Sequence, residues 1–244
     1  MVTLCIDNGN TLTKFAVFNN DEMINFRAID LNNYAVISQF IQNAHIEVAI
    51  MSSVSAVPDA LMKTLSKEVK HFILLDHQTP LPIENCYETK ETLGKDRLAA
   101  VVGAHHLYPA DNLLVIDAGT AITYDIINHH GQYLGGNISP GMQMRFKALN
   151  YFTTQLPLLN PVDKIPDIGK NTTEAIEIGV QQGMLFEVDG TIEHYKQSYP
   201  HLKVLITGGD AKFFDNKLKS MIFVVSNLVM IGLNRILKYN LSKQ

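Results

Sequence analysis

One pattern is written twice in this chain, and it restricts the fold more than any other feature. The first copy is Leu4-Cys5-Ile6-Asp7-Asn8-Gly9-Asn10-Thr11-Leu12-Thr13-Lys14-Phe15-Ala16-Val17-Phe18. The second, one residue shorter at the turn, is Leu114-Val115-Ile116-Asp117-Ala118-Gly119-Thr120-Ala121-Ile122-Thr123-Tyr124-Asp125-Ile126-Ile127-Asn128. Each opens on an apolar run short enough for a buried strand and ends that run on an aspartate. Each then turns through glycine and small or hydroxylic residues into a second strand. A further pair follows in the same order, Val48-Ala49-Ile50-Met51-Ser52-Ser53 and Val204-Leu205-Ile206-Thr207-Gly208-Gly209, apolar strands that end in two small residues. Internal repetition of this kind predicts two copies of one α/β domain, over 1–111 and 112–244, facing each other across a cleft.

The turns carry chemistry as well as geometry. Gly9 and the small residues Asn8, Asn10, Thr11 and Thr13 let backbone N–H groups approach phosphate oxygens. Lys14 adds a cation, and Asp7 can hold a hydrated Mg²⁺. Either turn alone is also compatible with an ordinary hairpin, because short motifs recur by chance. Two of them in one chain can grip a nucleotide from both sides.

The elements predicted around these turns alternate as an α/β fold requires. Strands are expected over 22–29, 46–51, 72–75, 204–207 and 221–225. Helices are expected from Asn32 or Asn33 to 43, from Pro58 to 69, over 93–107, over 142–152, from Thr172 or Thr173 to 199, and at the C-terminus through 239. The order β-β-β-α-β-α-β of the first copy is that of the ribonuclease-H-like, actin-like ATPase domain. Residues 79–92 and 156–170 read as irregular connections, both with prolines. Helices 142–152 and 172–199 are additions to the second copy, and their Met144, Phe146, Leu149, Ile176, Val180, Met184 and Phe186 suggest a shared apolar interface.

Composition excludes several classes. At 46% hydrophobic and 18% charged residues the chain can bury sizeable cores. Net charge is −4 and no Lys/Arg stripe appears, which argues against nucleic acid. The longest apolar stretch, 221–231, is interrupted at Ser226-Asn227 and falls short of the about 20 residues a membrane span needs. Asp7 arrives too early for a signal peptide. Cys5 and Cys86 have neither CxxC nor metal-ligand spacing, as expected of a reduced cytoplasmic protein. The adjacent pairs His105-His106 and His129-His130 point apart on any regular element and do not read as a metal site.

The segment Leu93-Gly94-Lys95-Asp96-Arg97 opens a helix and supplies the second set of reactive groups. Asp96 is the candidate general base, since a positioned carboxylate that accepts a hydroxyl proton is a recurring device of kinases. Gly94 lets backbone approach a ligand, and Arg97 can pair with a carboxylate through two parallel hydrogen bonds. The competing reading of Asp96 is a helix-start residue that only complements the dipole.

Taken together, Asp7-x-Gly9-Asn10-Thr11-x-x-Lys14, Tyr87 with Gly94-Lys95-Asp96-Arg97, Asp117-Ala118-Gly119-Thr120-Ala121, Gly135-Gly136-x-Ile138-x-Pro140-Gly141 and Thr207-Gly208-Gly209-Asp210-Ala211 resemble the type III pantothenate kinases. That family belongs to the acetate-and-sugar-kinase, heat-shock chaperone and actin superfamily, and the resemblance runs from Val2 to at least Ala211. It implies ATP-dependent phosphorylation of pantothenate, the first step of coenzyme A biosynthesis. Asp7, Asn8, Gly9, Asn10, Thr11, Leu12, Thr13 and Lys14 would form the phosphate loop, with Mg²⁺ on Asp7 through water. Thr120, Gly208 and Gly209 would contact ATP. Asp96 would be the base, and Tyr87, Gly94, Lys95, Arg97 and Thr172 would line the pantothenate site, with Thr173 as the alternative to Thr172. Asp117 would ligate a monovalent cation, K⁺ or NH₄⁺, in a homodimer whose pocket is completed by the partner subunit. The chain departs from the common family spelling at Asn8, usually apolar, and Lys95, frequently Ala; neither carries the chemistry. Other functions compatible with the turns are a non-enzymatic actin-like nucleotide switch, a kinase of another small hydroxy acid, or a phosphohydrolase. The switch would not need Gly94-Lys95-Asp96-Arg97.

Overall fold

The computed structural model of this 244-residue chain describes every residue except Asn10, Thr11, Leu31 and Gln244. Asn10 and Thr11 of the expected phosphate loop therefore lie outside the described residues. In chain order the elements are β1 (Val2–Asn8), β2 (Thr13–Asn19), β3 (Glu22–Ala28), α1 (Tyr34–Asn43), β4 (Val48–Ser53), α2 (Asp59–Glu68), β5 (His71–Leu74), β6 (Glu84–Asn85) and α3 (Lys95–Leu107). There follow β7 (Leu113–Ala118), β8 (Ala121–Ile127), β9 (Gln132–Pro140), α4 (Met142–Tyr151), α5 (Thr172–Ser198), β10 (Lys203–Thr207), α6 (Ala211–Phe214), β11 (Phe223–Val224) and α7 (Leu228–Leu241). Contacts divide the chain into two units, Met1–Ala110 with His130–Leu134 and Asn227–Gln244, and Asp111–His129 with Gly135–Ser226.

The first unit is built on a sheet of order β3-β2-β1-β4-β5, in which β1 and β2 are antiparallel and β4 and β5 run parallel to β1. β1 is buried on both faces, which is why it reads as a continuous apolar run and not as an alternation. On one face Leu4, Ile6, Phe15 and Val17 pack against Ile37, Phe40 and Ile41 of α1 and Leu61 and Leu65 of α2. On the other, Cys5, Ala16, Phe18, Val48 and Ile50 meet Ala99 and Val102 of α3 and Met230, Leu233 and Ile236 of α7. Asn33 caps α1, its Oδ1 accepting the Val36 N–H at 3.3 Å, and Pro58 stands immediately before α2.

Helix α3, which carries the Asp96 motif at its start, has all of Arg97 to Ala104 buried. Two glycines make this possible. A Cβ on Gly103 would meet the Leu228 carbonyl and the Gly232 backbone, and one on Gly232 would run into the Ala99 carbonyl. The two helices thus approach backbone to backbone.

The second unit repeats the first. Its strands lie in the order β11-β10-β7-β8-β9, the same arrangement as β5-β4-β1-β2-β3. Leu114, Ile116, Ile122, Tyr124 and Ile126 pack against Met142 and Phe146 of α4 and Ile176, Val180, Met184, Val188 and Ile192 of α5. Gln181, fully buried on α5, both donates to the Val162 carbonyl at 2.8 Å and accepts the Val162 N–H at 3.0 Å. It ties the irregular connection to the helix.

Four expectations change. The final helix α7, placed in the second copy by chain order, belongs to the first unit. There the Thr3 hydroxyl donates to Asn234 Oδ1 at 2.8 Å, Asn234 Nδ2 donates to the Asn20 carbonyl at 2.9 Å, and Lys238 Nζ reaches Asp21 Oδ1 at 2.6 Å. The connection over 79–92 contains the two-residue strand β6, paired with the first residues of β9, Glu84 with Gln132 and Asn85 with Tyr133. Helix α5 is capped by Asn171, whose Oδ1 accepts the Glu174 N–H at 3.0 Å, and not by Thr172 or Thr173. Of the apolar residues expected at an interface, Phe146, Ile176, Val180 and Met184 fill this unit's own core and Leu149 packs against it, while Met144 and Phe186 stay exposed. Hydrophobicity alone does not say which face of a helix finds its own sheet.

Candidate active site

In the first unit, Asp7 sits near the end of β1, directly across from Lys14 of β2 and Ser52 of β4. It is 7% exposed, and the Ser52 hydroxyl donates to its Oδ1 at 2.8 Å. Burial pushes the Asp7 carboxyl above the ordinary aspartate range. The Ser52 hydrogen bond and the Lys14 charge pull it back, and the Asp96 charge pushes it further up. A desolvated carboxylate with this imbalance fits a cation brought in with the phosphates. The turn beside it is braced through Asn8, whose Nδ2 donates to Ser53 Oγ at 2.8 Å and Ser55 Oγ at 3.0 Å and whose Oδ1 accepts the Thr13 hydroxyl at 2.9 Å. The Gly9 N–H donates to the Leu12 carbonyl at 3.3 Å, and Leu12 itself is exposed. Asn8 therefore does structural work that an apolar residue would not.

Asp96 lies in the first turn of α3, after Gly94. Its Oδ1 accepts the Arg97 N–H at 2.8 Å, and no donor among the described residues reaches its Oδ2. A Cβ on Gly94 would collide with that carboxylate, so the glycine is required for the side chain to fold back over the helix start. Lys95 is turned the other way, its Nζ donating to the Leu93 carbonyl at 2.9 Å. Arg97 is 6% exposed, with its guanidinium carbon 5.7 Å from the centre of the Tyr87 ring. Tyr87 stacks nearly parallel on Tyr133, with centroids 6.1 Å apart and planes at 9°. The first unit thus brings Asp7, Lys14, Tyr87, Gly94, Asp96 and Arg97 into one body.

In the second unit Asp117 occupies the position of Asp7, opposite Thr123 of β8 and Thr207 of β10. The Thr123 hydroxyl is buried and has no hydrogen-bond partner among the described residues. An orphaned oxygen on the strand beside a carboxylate fits a bound cation. Gly208 has φ +97°, and a Cβ there would strike both Asp117 Oδ1 and the Ala118 carbonyl. The Asp210 N–H donates to the Ala118 carbonyl at 2.9 Å, fastening the Gly208-Gly209 turn to the end of β7. The Thr120 carbonyl accepts the Gly141 N–H at 3.2 Å, and a Cβ on Gly141 would overlap Thr120 and Gly119. Gly209 faces open space.

Thr172 lies in the first turn of α5. It lines a cavity of about 840 Å³ with Arg145, Leu149, Phe152, Ile176 and Val180. The Arg145 guanidinium is engaged elsewhere, with Glu187 Oε2 at 2.5 Å and Ser139 Oγ at 3.0 Å. Glu187 also accepts the Tyr124 hydroxyl at 2.7 Å, and burial with that carboxylate drives the Tyr124 phenol far above its ordinary range. The cavity wall is therefore apolar apart from hydroxyls.

Sequence reading passed over Ser52, Thr123, Thr207 and Tyr133. The first three follow from strand register, since each lies directly across from one of the two repeated aspartates. Tyr133 has no such signal, because β6 is too short to be foreseen.

Comparison with known proteins identifies the family and the fold. The profile of the type III pantothenate kinase family matches residues 3–194. A type III pantothenate kinase of Phocaeicola vulgatus is 45% identical over 98% of this chain and 99% of its own length. One of Bacteroides fragilis is 46% identical over 98% of both chains. In fold, the chain matches the crystal structure of a ROK hexokinase from Thermus thermophilus with a TM-score of 0.55 at 11% identity, over 99% of this chain and 100% of that one. That likeness confirms the two-domain ribonuclease-H-like architecture. On the match of profile, sequence and fold together, the chain belongs to the type III pantothenate kinase family.

Proposed function

We propose that this protein transfers the γ-phosphoryl group of ATP to the primary hydroxyl of pantothenate, giving 4′-phosphopantothenate and opening coenzyme A biosynthesis. The observation that carries this reading is the start of α3. A carboxylate with one oxygen unclaimed among the described residues is followed directly by a nearly buried guanidinium. Consecutive helical residues diverge by about 100°, so the two groups address different parts of one extended substrate. Pantothenate offers one hydroxyl to activate and one carboxylate to clamp.

In this reading Asp96 Oδ2 takes the hydroxyl proton as the new O–P bond forms and the bond from γ-phosphorus to the bridging oxygen of ADP breaks. Arg97 holds the pantothenate carboxylate, with Tyr87, Gly94 and Lys95 around it and Thr172 contributing a hydroxyl. Lys14 and the backbone of the loop from Asp7 to Thr13 receive the phosphates, and Thr120, Gly208 and Gly209 meet the nucleotide. Mg²⁺, when bound to Asp7 through water, neutralises phosphate charge. Asp117 with the Thr123 hydroxyl would hold the monovalent cation, K⁺ or NH₄⁺.

The assembly proposed is a homodimer through the α4–α5 face, where Met144, Tyr151, Phe152 and Phe186 are exposed. The reading includes residence in the cytoplasm, which two cysteines outside any disulfide support, Cys5 buried and Cys86 exposed; no helix among the described residues is long and apolar enough to cross a membrane. The deciding experiment is coupled ADP release with and without pantothenate. ADP release that requires pantothenate is expected, and equal turnover without it would overturn the reading in favour of a hydrolase or switch. Light scattering checks the dimer, and a fully active monomer would refute it.

A further inference from the structure

Tyr133 is the second residue of β9 and is completely buried, although its strand partner β6 is only two residues long. The backbone around it is specified in detail. Asn85 lies in register with Tyr133, the Cys86 N–H donates to the Tyr133 carbonyl at 3.0 Å, and Asn85 Oδ1 accepts the Tyr87 N–H at 3.0 Å. These bonds bring the two tyrosines together with centroids 6.1 Å apart and planes at 9°, within the range of favourable aromatic stacking. The Arg97 guanidinium lies over the same Tyr87 ring at 5.7 Å. A buried ring thus sets the plane of a partly exposed one, and that ring carries a cation on its π face.

We propose that Tyr133 is a positioning residue for pantothenate: its ring holds Tyr87 flat, and Tyr87 holds the Arg97 guanidinium in the plane that meets the substrate carboxylate. A guanidinium delivers its advantage over an ammonium only when the fork is aligned, and alignment before binding removes the entropy loss on binding. The inference rests on the reading of Arg97 as the carboxylate partner.

The test is steady-state kinetics on Tyr133→Leu, Tyr133→Phe, Tyr87→Leu, the double variant Tyr87→Leu/Tyr133→Leu and Arg97→Lys. Tyr133→Leu should raise the pantothenate KM roughly 3- to 10-fold, the equivalent of one lost aromatic pair, with the ATP KM little changed. Tyr133→Phe, which keeps the ring, should restore the pantothenate KM. The double variant should be no worse than Tyr87→Leu alone, because Tyr133 acts only through Tyr87. If thermal melting shows Tyr133→Leu to be unfolded, Tyr133→Met takes its place, filling the volume without a planar face. A pantothenate KM unchanged in the Leu or Met variant while Arg97→Lys raises it would overturn the inference alone. An unchanged KM in Arg97→Lys as well would overturn the reading of Arg97 beneath it. Equal rises in the pantothenate and ATP KM values would mark Tyr133 as a packing residue and also defeat the inference.

Discussion

The aspartates near the ends of β1 and β7 occupy the same place in the same strand order, yet their surroundings differ. Asp7 faces Lys14 across one strand pair and Ser52 across the other, whereas Asp117 faces Thr123 and Thr207. The first carboxylate is 7% exposed and pushed upward by burial, with a fixed cation opposite it. The second is half-buried among hydroxyls, one of them without a hydrogen-bond partner among the described residues. Duplication thus supplied two equivalent positions for a negative charge, and the residue across the strand decides what each can hold. A Lys across the strand suits polyanion binding, while a pair of threonines suits a small cation with oxygen ligands. Asp96, the proposed base, and Arg97, the proposed carboxylate partner, lie on α3 of the first unit.

If the first unit carries the chemistry, Asp96→Asn should have the largest effect. Loss of a general base costs about 10²–10⁴-fold in turnover, and calorimetry should show MgATP binding close to wild type. A near wild-type rate would move the base elsewhere.

Asp7→Ala should remove most Mg²⁺-dependent nucleotide binding, measured by the same calorimetry. Its isosteric relative Asp7→Asn separates function from stability. A carboxyl whose folded pKa is raised makes the native state hold more protons than the unfolded one, so it destabilises increasingly as pH rises from the ordinary aspartate value through the raised one. Ligand-free Asp7→Asn should therefore melt higher than wild type at pH 7, and the difference should shrink toward pH 4. A lower melting temperature would show that the Lys14 and Ser52 contacts outweigh burial.

The second site should respond more gently. Asp117→Asn should cut the activation seen on exchanging Na⁺ for K⁺ by on the order of tenfold, about 1.4 kcal/mol of lost ion contact, with the Asp96 chemistry intact. Thr123→Val removes a buried hydroxyl that lacks a partner among the described residues. It should be neutral or slightly stabilising in Na⁺ and yet blunt K⁺ activation. Equal rates in Na⁺ and K⁺ for wild type would leave the two aspartates without this functional distinction.

The smallest expected effect concerns the pair of helices α3 and α7 in the first unit. Burial, and then the neighbouring His106, lower the His105 pKa; burial, and then Arg235, lower that of His106, with Lys238 acting the same way and Asp21 opposing. Depressed histidines contribute stability that is complete above their unfolded pKa of about 6.5 and is lost as pH falls from there through the lowered folded values. Melting temperature should decline below that pH, and the decline should flatten in His106→Gln.

Sequence and structure agree best where the signal is local and repeated. The twin strand–turn–strand motifs, the aspartates they present and the glycine before Asp96 were all readable, because a strand's burial and a turn's backbone needs are written in adjacent residues. Strand register then made Ser52, Thr123 and Thr207 derivable in principle, since each is simply opposite a known residue. That the second oxygen of Asp96 meets no donor among the described residues could not be read, because helix-start aspartates look alike whether they serve a substrate or only a backbone N–H.

Sequence alone determined that this chain is a duplicated α/β fold with an aspartate-bearing strand–turn–strand motif in each copy, since hydrophobic period and turn chemistry are properties of short segments. Only the tertiary structure decided that α7 returns to the first unit, that Gly103 and Gly232 let it touch α3, and that Phe146, Ile176, Val180 and Met184 are core. It also decided that Tyr133 lies beneath Tyr87 and Arg97. These are contacts between residues far apart in the chain, chosen by which surfaces exclude water together, and no local pattern encodes that choice.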